Sequence, residues 1–232
     1  MTVYWVEQRE ADLPGDDGWL APAELVRRNS FRFPKRRTDW QLGRWTAKRA
    51  VAAVLRAPPA LAAIEIRPDS SGAPVAFLGG APADCTISIS HRSGIAACAV
   101  APSGVALGCD LELVEPRSDA FVADYFTGEE QAQIERAGAN RYLLATLIWS
   151  AKESALKALH TGLRRDTRSV KVNPGSCVAP LDGAWHALET RLEDGGMFRG
   201  WWQISGCLVR TMAANPGAEA PYQLPTASIR PS

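Results

Sequence analysis

The chain is poor in the residues that organise disulfide-built, metal-organised or membrane-spanning proteins. Its 232 residues include five cysteines: Cys85, Cys98, Cys109, Cys177 and Cys207. The count is odd, the spacings are wide and no C-x-x-C occurs, so no disulfide framework is expected. Reduced, mostly buried thiols in a cytoplasmic protein are the expectation. The three histidines, His91, His160 and His186, are scattered, which argues against a zinc site. No stretch approaches the ~20 apolar residues of a membrane span. Glu7, Arg9, Glu10 and Asp12 follow the first apolar run directly, which is not a signal-peptide pattern. A net charge of +1 offers no global field for nucleic acid or a membrane surface. Neither G-x-x-x-x-G-K-[ST] nor G-x-G-x-x-G is present, so P-loop and Rossmann nucleotide sites are excluded. The remainder, 46% apolar and 22% charged, is ordinary for a soluble globular chain of one large or two small domains.

Periodicity divides the chain. Val3 to Val6 reads as a short strand, and Pro22 to Arg28 as a helix with proline in its first turn. Pro34 is expected to break the basic run Arg32 to Arg37, so the next helix is placed from Thr38 to Arg56. Pro58-Pro59 ends it. Short strands follow at Ala63 to Arg67, Val75 to Leu78, Thr86 to Ser90 and Ile95 to Val100. Ile87 and Ile89 alternate with Thr86, Ser88 and Ser90 as on a half-buried strand. Pro102-Ser103-Gly104 marks the interior boundary. Beyond it come a strand at Val105 to Leu113 and helices at Asp119 to Phe126 and Glu129 to Ala137. The second of these starts with a Thr127/Glu130 capping box. A long helix from Asn140 to His160 is predicted to be capped by Asn140 and ended by a left-handed Gly162. Four more strand-like runs follow, with Asp194-Gly195-Gly196 as a hairpin turn, and residues 215–232 read as a Pro/Ala-rich tail. The result is an α+β architecture: residues 1–103 form a basic first half, 104–214 a second half, and 215–232 the tail. No residue-level repeat is read between the halves.

Two stretches carry chemistry. In Gly108-Cys109-Asp110-Leu111-Glu112 on a strand, Asp110 and Glu112 share a face. Two adjacent carboxylates form a hard, oxygen-only site suited to Mg²⁺ or Mn²⁺, or simply an acidic strand face. On the long helix Trp149, Glu153 and Lys157 are four apart and line one side. Glu153 and Lys157 alone are as readily a surface ion pair, and a site requires Glu153 to join the strand acids. A magnesium ion held by few carboxylates completes its shell with water and substrate phosphate. Lys35-Arg36-Arg37, Arg44, Lys48 and Arg49 make the first half locally basic, either as solvated helix surface or as a phosphate site. His91, in the loop Ser88-Ile89-Ser90-His91-Arg92-Ser93-Gly94, is either an anion contact or incidental.

The joint pattern resembles a known family. Gly108-x-Asp110-x-Glu112, followed about forty residues later by Trp149-Ser150-x-Lys152-Glu153-Ser154-x-x-Lys157, resembles the 4'-phosphopantetheinyl transferases of the surfactin-type (Sfp-like) branch. Ile89-Ser90-His91 resembles the family's Ser-His loop. Leu42-Gly43-Arg44 through Lys48-Arg49 resembles its first-half helix, and the resemblance covers about residues 30–160. It implies a pseudo-dimer of two similar α+β halves with coenzyme A in the cleft between them. It implies Mg²⁺-dependent transfer of the phosphopantetheine arm of coenzyme A to a serine of an acyl or peptidyl carrier protein, releasing adenosine 3',5'-bisphosphate. The implied setting is secondary metabolism, in a cytoplasmic monomer with no nucleic acid or membrane partner. By motif position Asp110, Glu112 and Glu153 hold the metal. Lys157 stabilises phosphate charge, and Glu153 is also the nearest candidate base. His91 and Ser90 contact the 3'-phosphate or adenine, with Lys48 and Arg37 as helpers. Where the family often has Gly-Lys-Pro, this chain has Gly72-Ala73-Pro74, so a contact from Ala73 is confined to its backbone. Phe121, Tyr125 and Phe126 are either a carrier-docking patch or core. The alternative activities are a non-catalytic coenzyme A- or nucleotide-binding module on the same fold and, less favoured, a metal-dependent phosphohydrolase.

Overall fold

Strand alternation and helix caps build two units, which the computed structural model describes over residues 1–55, 60–175 and 183–225. Cys177, Pro58-Pro59 and the predicted end of the second helix at Arg56 lie outside the described residues. One unit comprises Thr2–Gly104 together with the segment from Tyr222; the other comprises Met1 and Val105–Pro221. Among the described residues no helix is long and apolar enough to cross a membrane.

The first unit runs β1 (Tyr4–Arg9), α1 (Pro22–Asn29), α2 (Pro34–Val54), β2 (Ile64–Pro68), β3 (Pro74–Leu78), β4 (Ala81–Pro82), β5 (Cys85–Arg92) and β6 (Ile95–Pro102). Pro34 does not break a helix but begins one: it is the first residue of α2, where its fixed φ and missing N–H cost nothing. The run Arg32 to Arg37 therefore spans a helix start rather than a loop. Strands β1, β6 and β5 lie side by side, and β2, β3 and β4 form a second small sheet. Leu42, Val51, Ile64, Ile87 and Cys98 are among the buried core. On β5 the expected alternation fails, because Ser88 and Ser90 are buried with Ile87.

The second unit runs β7 (Ala106–Leu113), α3 (Asp119–Tyr125), α4 (Gly128–Arg136), α5 (Arg141–Ala158), β8 (Val170–Asn173), β9 (His186–Leu192), β10 (Met197–Ser205) and β11 (Leu208–Asn215). Its sheet order is β7-β11-β10-β9-β8. The predicted capping box of α4 is present: Glu130 N donates to Thr127 Oγ1 and Thr127 N to Glu130 Oε2. The predicted caps of α5 are not. Asn140 gives no side-chain cap. The helix ends at Ala158, and the left-handed residue that turns the chain is His160 at φ 55°, with Thr161 N bonded to Leu156 O and His160 N to Lys157 O; Gly162 is left-handed as predicted, at φ 51°, but lies beyond that turn. The expected tail is also partly structured. Strand β12 (Tyr222–Gln223) pairs in parallel with β1, and Leu224 packs on the first unit's core.

The elements of the two units run in a similar order, and a short residue-level repeat accompanies it that was not read from the sequence. Each opens with a strand, adds one short helix in the first unit or two in the second and then a long helix, and returns through strands that end in a two-residue hairpin beside the opening strand. The long helices share a motif: Trp45-Thr46-Ala47-Lys48 on α2 and Trp149-Ser150-Ala151-Lys152 on α5. Each lysine is fully buried and paired with a glutamate of the short helix, Lys48 with Glu24 and Lys152 with Glu130. Glu24 Oε1 accepts from Ile66 N and Glu130 Oε1 from Val172 N, both at 3.0 Å and both 42 residues on. Burial of a charge requires such pairing and further hydrogen bonds. The lysines supply them, Lys48 to Trp19 O and Lys152 to Thr167 O and Val170 O.

Candidate active site

The second unit's site begins with Gly108 on β7. A Cβ there would lie 1.8 Å from Ser154 O and 2.7 Å from Ala158 N, so only glycine lets α5 lie this close to the strand. The close approach sets the α5 face that includes Trp149, Glu153 and Lys157 against β7. Cys109 and Leu111 point the other way into the core, fully or almost fully buried. Asp110, 5% exposed, and Glu112 share the face toward the helix.

Each strand acid is held at both oxygens. Lys157 Nζ donates to Asp110 Oδ1 at 2.8 Å and to Cys109 O at 3.0 Å. Ser150 Oγ donates to Asp110 Oδ2 at 2.9 Å. Trp149 Nε1 donates to Glu112 Oε1 at 3.1 Å, and Arg117 NH2 to Glu112 Oε2 at 3.2 Å. Glu153 interacts electrostatically with both strand acids. Burial, then Asp110 and Glu112, push its carboxyl above the usual range, and Lys157 opposes them. For Lys157 burial is the largest single influence and pulls downward. Asp110, Cys109 and Glu153 together outweigh it, so the ammonium is held above its ordinary value.

The donors fit a hard cation in part. Asp110, Glu112 and Glu153 supply only oxygen, as magnesium prefers. Among the described residues, however, no group of three His, Cys, Asp or Glu side chains stands ready to hold a metal ion. The geometry is thus an open acidic corner whose remaining ligands would be substrate oxygens and water, not a closed protein cage.

The first unit carries a separate hollow of about 410 Å³. Arg27, Arg36, Arg44 and His91 line it, with Asp39 as its acidic side chain. Phe31 and Trp40 lie with ring centres 5.6 Å apart and planes tilted by 47°, Arg27 lies over Phe31 at 5.1 Å and Arg44 over Trp40 at 5.1 Å. Arg44 Nε is buried and without a hydrogen-bond partner among the described residues. Burial draws the Arg44 guanidinium below its ordinary value, with Glu24 opposing and Arg27 adding to the effect. Aromatic faces beside concentrated cations suit a base and a phosphate.

The predicted contacts to this region need correction. His91 is exposed and borders the hollow with Ile89, two residues away. Ser90 points to the opposite face of β5 and is buried. Lys48 is 0% exposed and committed to Glu24 and Trp19 O, so it is a structural cation and not a phosphate contact. Arg37 does not line the hollow; Arg36, Trp40 and Arg44 do, as the four-residue steps of one helix face. Ala73 N already donates to Asp69 Oδ1 at 2.9 Å, which takes up the backbone group assigned to the ligand. Arg27 on α1 was the missed residue, and its sequence signal was only a cation in the last turn of a short helix. In the second unit Phe126 is core, and Phe121 and Tyr125 pack on Trp149 with ring centres 5.0 and 5.2 Å away. Of these three rings only Tyr125 is substantially exposed.

Comparison with known proteins bears on the second unit. Residues 106–187 match the family model described as the 4'-phosphopantetheinyl transferase superfamily. That stretch is a minority of the chain, and it holds Asp110, Glu112, Glu153 and Lys157. Among solved structures, the chain is similar to the Helicobacter pylori holo-[acyl-carrier-protein] synthase (AcpS) in complex with coenzyme A. The likeness has 18% identity and a TM-score of 0.35, covering 44% of this chain and 100% of that one. No curated protein matches.

Proposed function

We propose that the chain transfers the 4'-phosphopantetheine arm of coenzyme A to a serine of an acyl or peptidyl carrier protein, as an enzyme of the Sfp-like branch. The observation that carries this is the α5 face. Within the stretch matching the superfamily, Glu153 and Lys157 are seated against Asp110 and Glu112 by the Gly108 contact. The two-unit plan and the repeated Trp-[Ser/Thr]-Ala-Lys motif support the longer branch over a single-unit enzyme.

In the reaction the carrier serine oxygen bonds to the β-phosphorus of coenzyme A. The bridging P–O bond breaks, and adenosine 3',5'-bisphosphate leaves with the electron pair. Lys157, kept protonated by its carboxylate neighbours, offsets charge on the phosphates. Glu153, whose carboxyl holds a proton more tightly than usual, accepts the serine proton when it is not itself bound to the metal. Asp110, Glu112 and Glu153 would hold Mg²⁺, which when bound neutralises pyrophosphate charge. The cations and rings of the hollow take the 3'-phosphate and adenine.

The test is to incubate the protein with apo carrier proteins, coenzyme A and Mg²⁺ and to weigh the carriers by mass spectrometry. The mass of one phosphopantetheine arm on the carrier serine is expected. No added mass on any fatty-acid, polyketide or peptide carrier, with coenzyme A still bound, would leave only the non-catalytic binding module.

A further inference from the structure

We infer that Thr211, on β11 and outside every motif of the site, is a positioning residue that orients Asp110 through Ser150. The inference rests on the functional reading above. Thr211 stands directly opposite Asp110 in the β7–β11 register, so both side chains face α5. Ser150 and Ser154, one helical turn apart on α5, meet it there, and all three hydroxyl residues are fully buried.

The three hydroxyls hold three hydrogens, and the contacts fix where they lie. Ser150 Oγ donates to Asp110 Oδ2 at 2.9 Å. Ser150 Oγ also lies 2.9 Å from Thr211 Oγ1, and Ser154 Oγ lies 2.7 Å from Thr211 Oγ1. An ionised carboxylate only accepts, so the single Ser150 hydrogen is committed to Asp110. The Ser150–Thr211 contact then needs the Thr211 hydrogen. With that hydrogen given away, the shorter contact needs the one on Ser154. If Thr211 donated to Ser154 instead, Ser154 could turn to Thr211 O at 3.2 Å, but the Thr211–Ser150 contact would have no hydrogen in it. One order satisfies every short contact: Ser154 to Thr211 to Ser150 to Asp110.

A chain of donors pointing one way polarises each successive bond. Its end is the inner oxygen of Asp110, while Lys157 takes the other oxygen. The carboxylate plane is thereby fixed at both ends. Without the Thr211 hydroxyl, Ser150 is free to turn its hydrogen back to the carbonyl four residues earlier, a common serine habit in helices. Asp110 would then lose its inner anchor with no change at the motif itself.

The test uses the full chain with Thr211→Val, Thr211→Ser and Ser150→Ala. The side-chain carboxyl carbon resonances of Asp110 and Glu112 are followed by NMR, and Mn²⁺ affinity is measured with coenzyme A present by water-proton relaxation. Thr211→Val is expected to move the Asp110 resonance, leave Glu112 in place and weaken Mn²⁺ about tenfold, the scale of one hydrogen bond to a charged group. Thr211→Ser should restore all three readings. An unmoved Asp110 resonance, joint movement of both acids, or failure of Thr211→Ser to rescue overturns the inference. If the unaltered protein binds no Mn²⁺, the metal assignment fails and the two resonances alone decide the role of Thr211. Should Thr211→Val not fold, Ser150→Ala must give the same selective shift of Asp110, and its absence refutes the proposal.

Discussion

Glu153 is the carboxyl of this site whose affinity for a proton the fold raises. Burial and two carboxylate neighbours raise its folded-state pKa above the ordinary value of about 4.3. Between those two values the folded chain binds the extra proton, so Glu153's contribution to stability falls as pH rises through that window. Glu153→Gln should therefore make the protein more stable than the parent above the window and equal to it below. Carrier modification should drop by about 10²–10⁴-fold, the usual size of a lost general base, and the acid limb of the pH–rate profile should disappear. Thermal melts across pH and the rate profile check both; undiminished turnover would remove Glu153 from the chemistry. Strand period two put Asp110 and Glu112 on one face and helix steps of four put Glu153 and Lys157 on another, but the expectation that the two faces meet came from the family resemblance. Thr211 was not legible, because a single threonine on an apolar strand has no pattern until its cross-strand partner is known.

At the scale of elements, α2 presents two cations four residues apart with opposite duties. Lys48 is sealed against Glu24, and Arg44 lines the hollow. Lys48→Ala leaves a buried carboxylate without its cation and should cost about 3–5 kcal/mol in a denaturant titration. Arg44→Ala should leave stability nearly intact and raise the KM for coenzyme A several-fold. Equal effects of the two on binding would restore Lys48 to the ligand. Sequence alone does not separate them, since both fall on the same four-residue progression and only the depth of packing distinguishes them. The same limit explains Arg37, one residue and about 100° of helix turn away from Arg36. Pro34 was misplaced for a related reason: proline stops a helix in its interior but starts one at the first position, and the local sequence fits both.

For the whole molecule, the return of the chain to the first unit is a structural tie. Tyr222 N bonds Val3 O and Leu224 N bonds Trp5 O, both at 2.8 Å, and Leu224 packs on the core. A chain ending at Pro221 should lose about 1–3 kcal/mol, the worth of one apolar side chain and two hydrogen bonds, with the loss read by chemical denaturation. No loss would mean that the pairing contributes nothing to the fold. Most strands and helices of both units were readable from period, while the alternation of β5, the caps of α5, the start of α2 and strand β12 were not. Two similar halves were expected from the resemblance, but the residue-level repeat was not read, because four-residue motifs on two helices become significant only once the buried glutamates align them. That doubled motif lets the two units be matched position by position. Matching the hairpins that close β6 and β11 sets Val6 and Gln8 where the other unit has Asp110 and Glu112. Matching the helices sets Arg49 and Ala53 at the places of Glu153 and Lys157. The two units thus share one internal frame, a lysine sealed against a glutamate, and differ where the second carries its acids and lysine and the first has Val6, Gln8, Arg49 and Ala53.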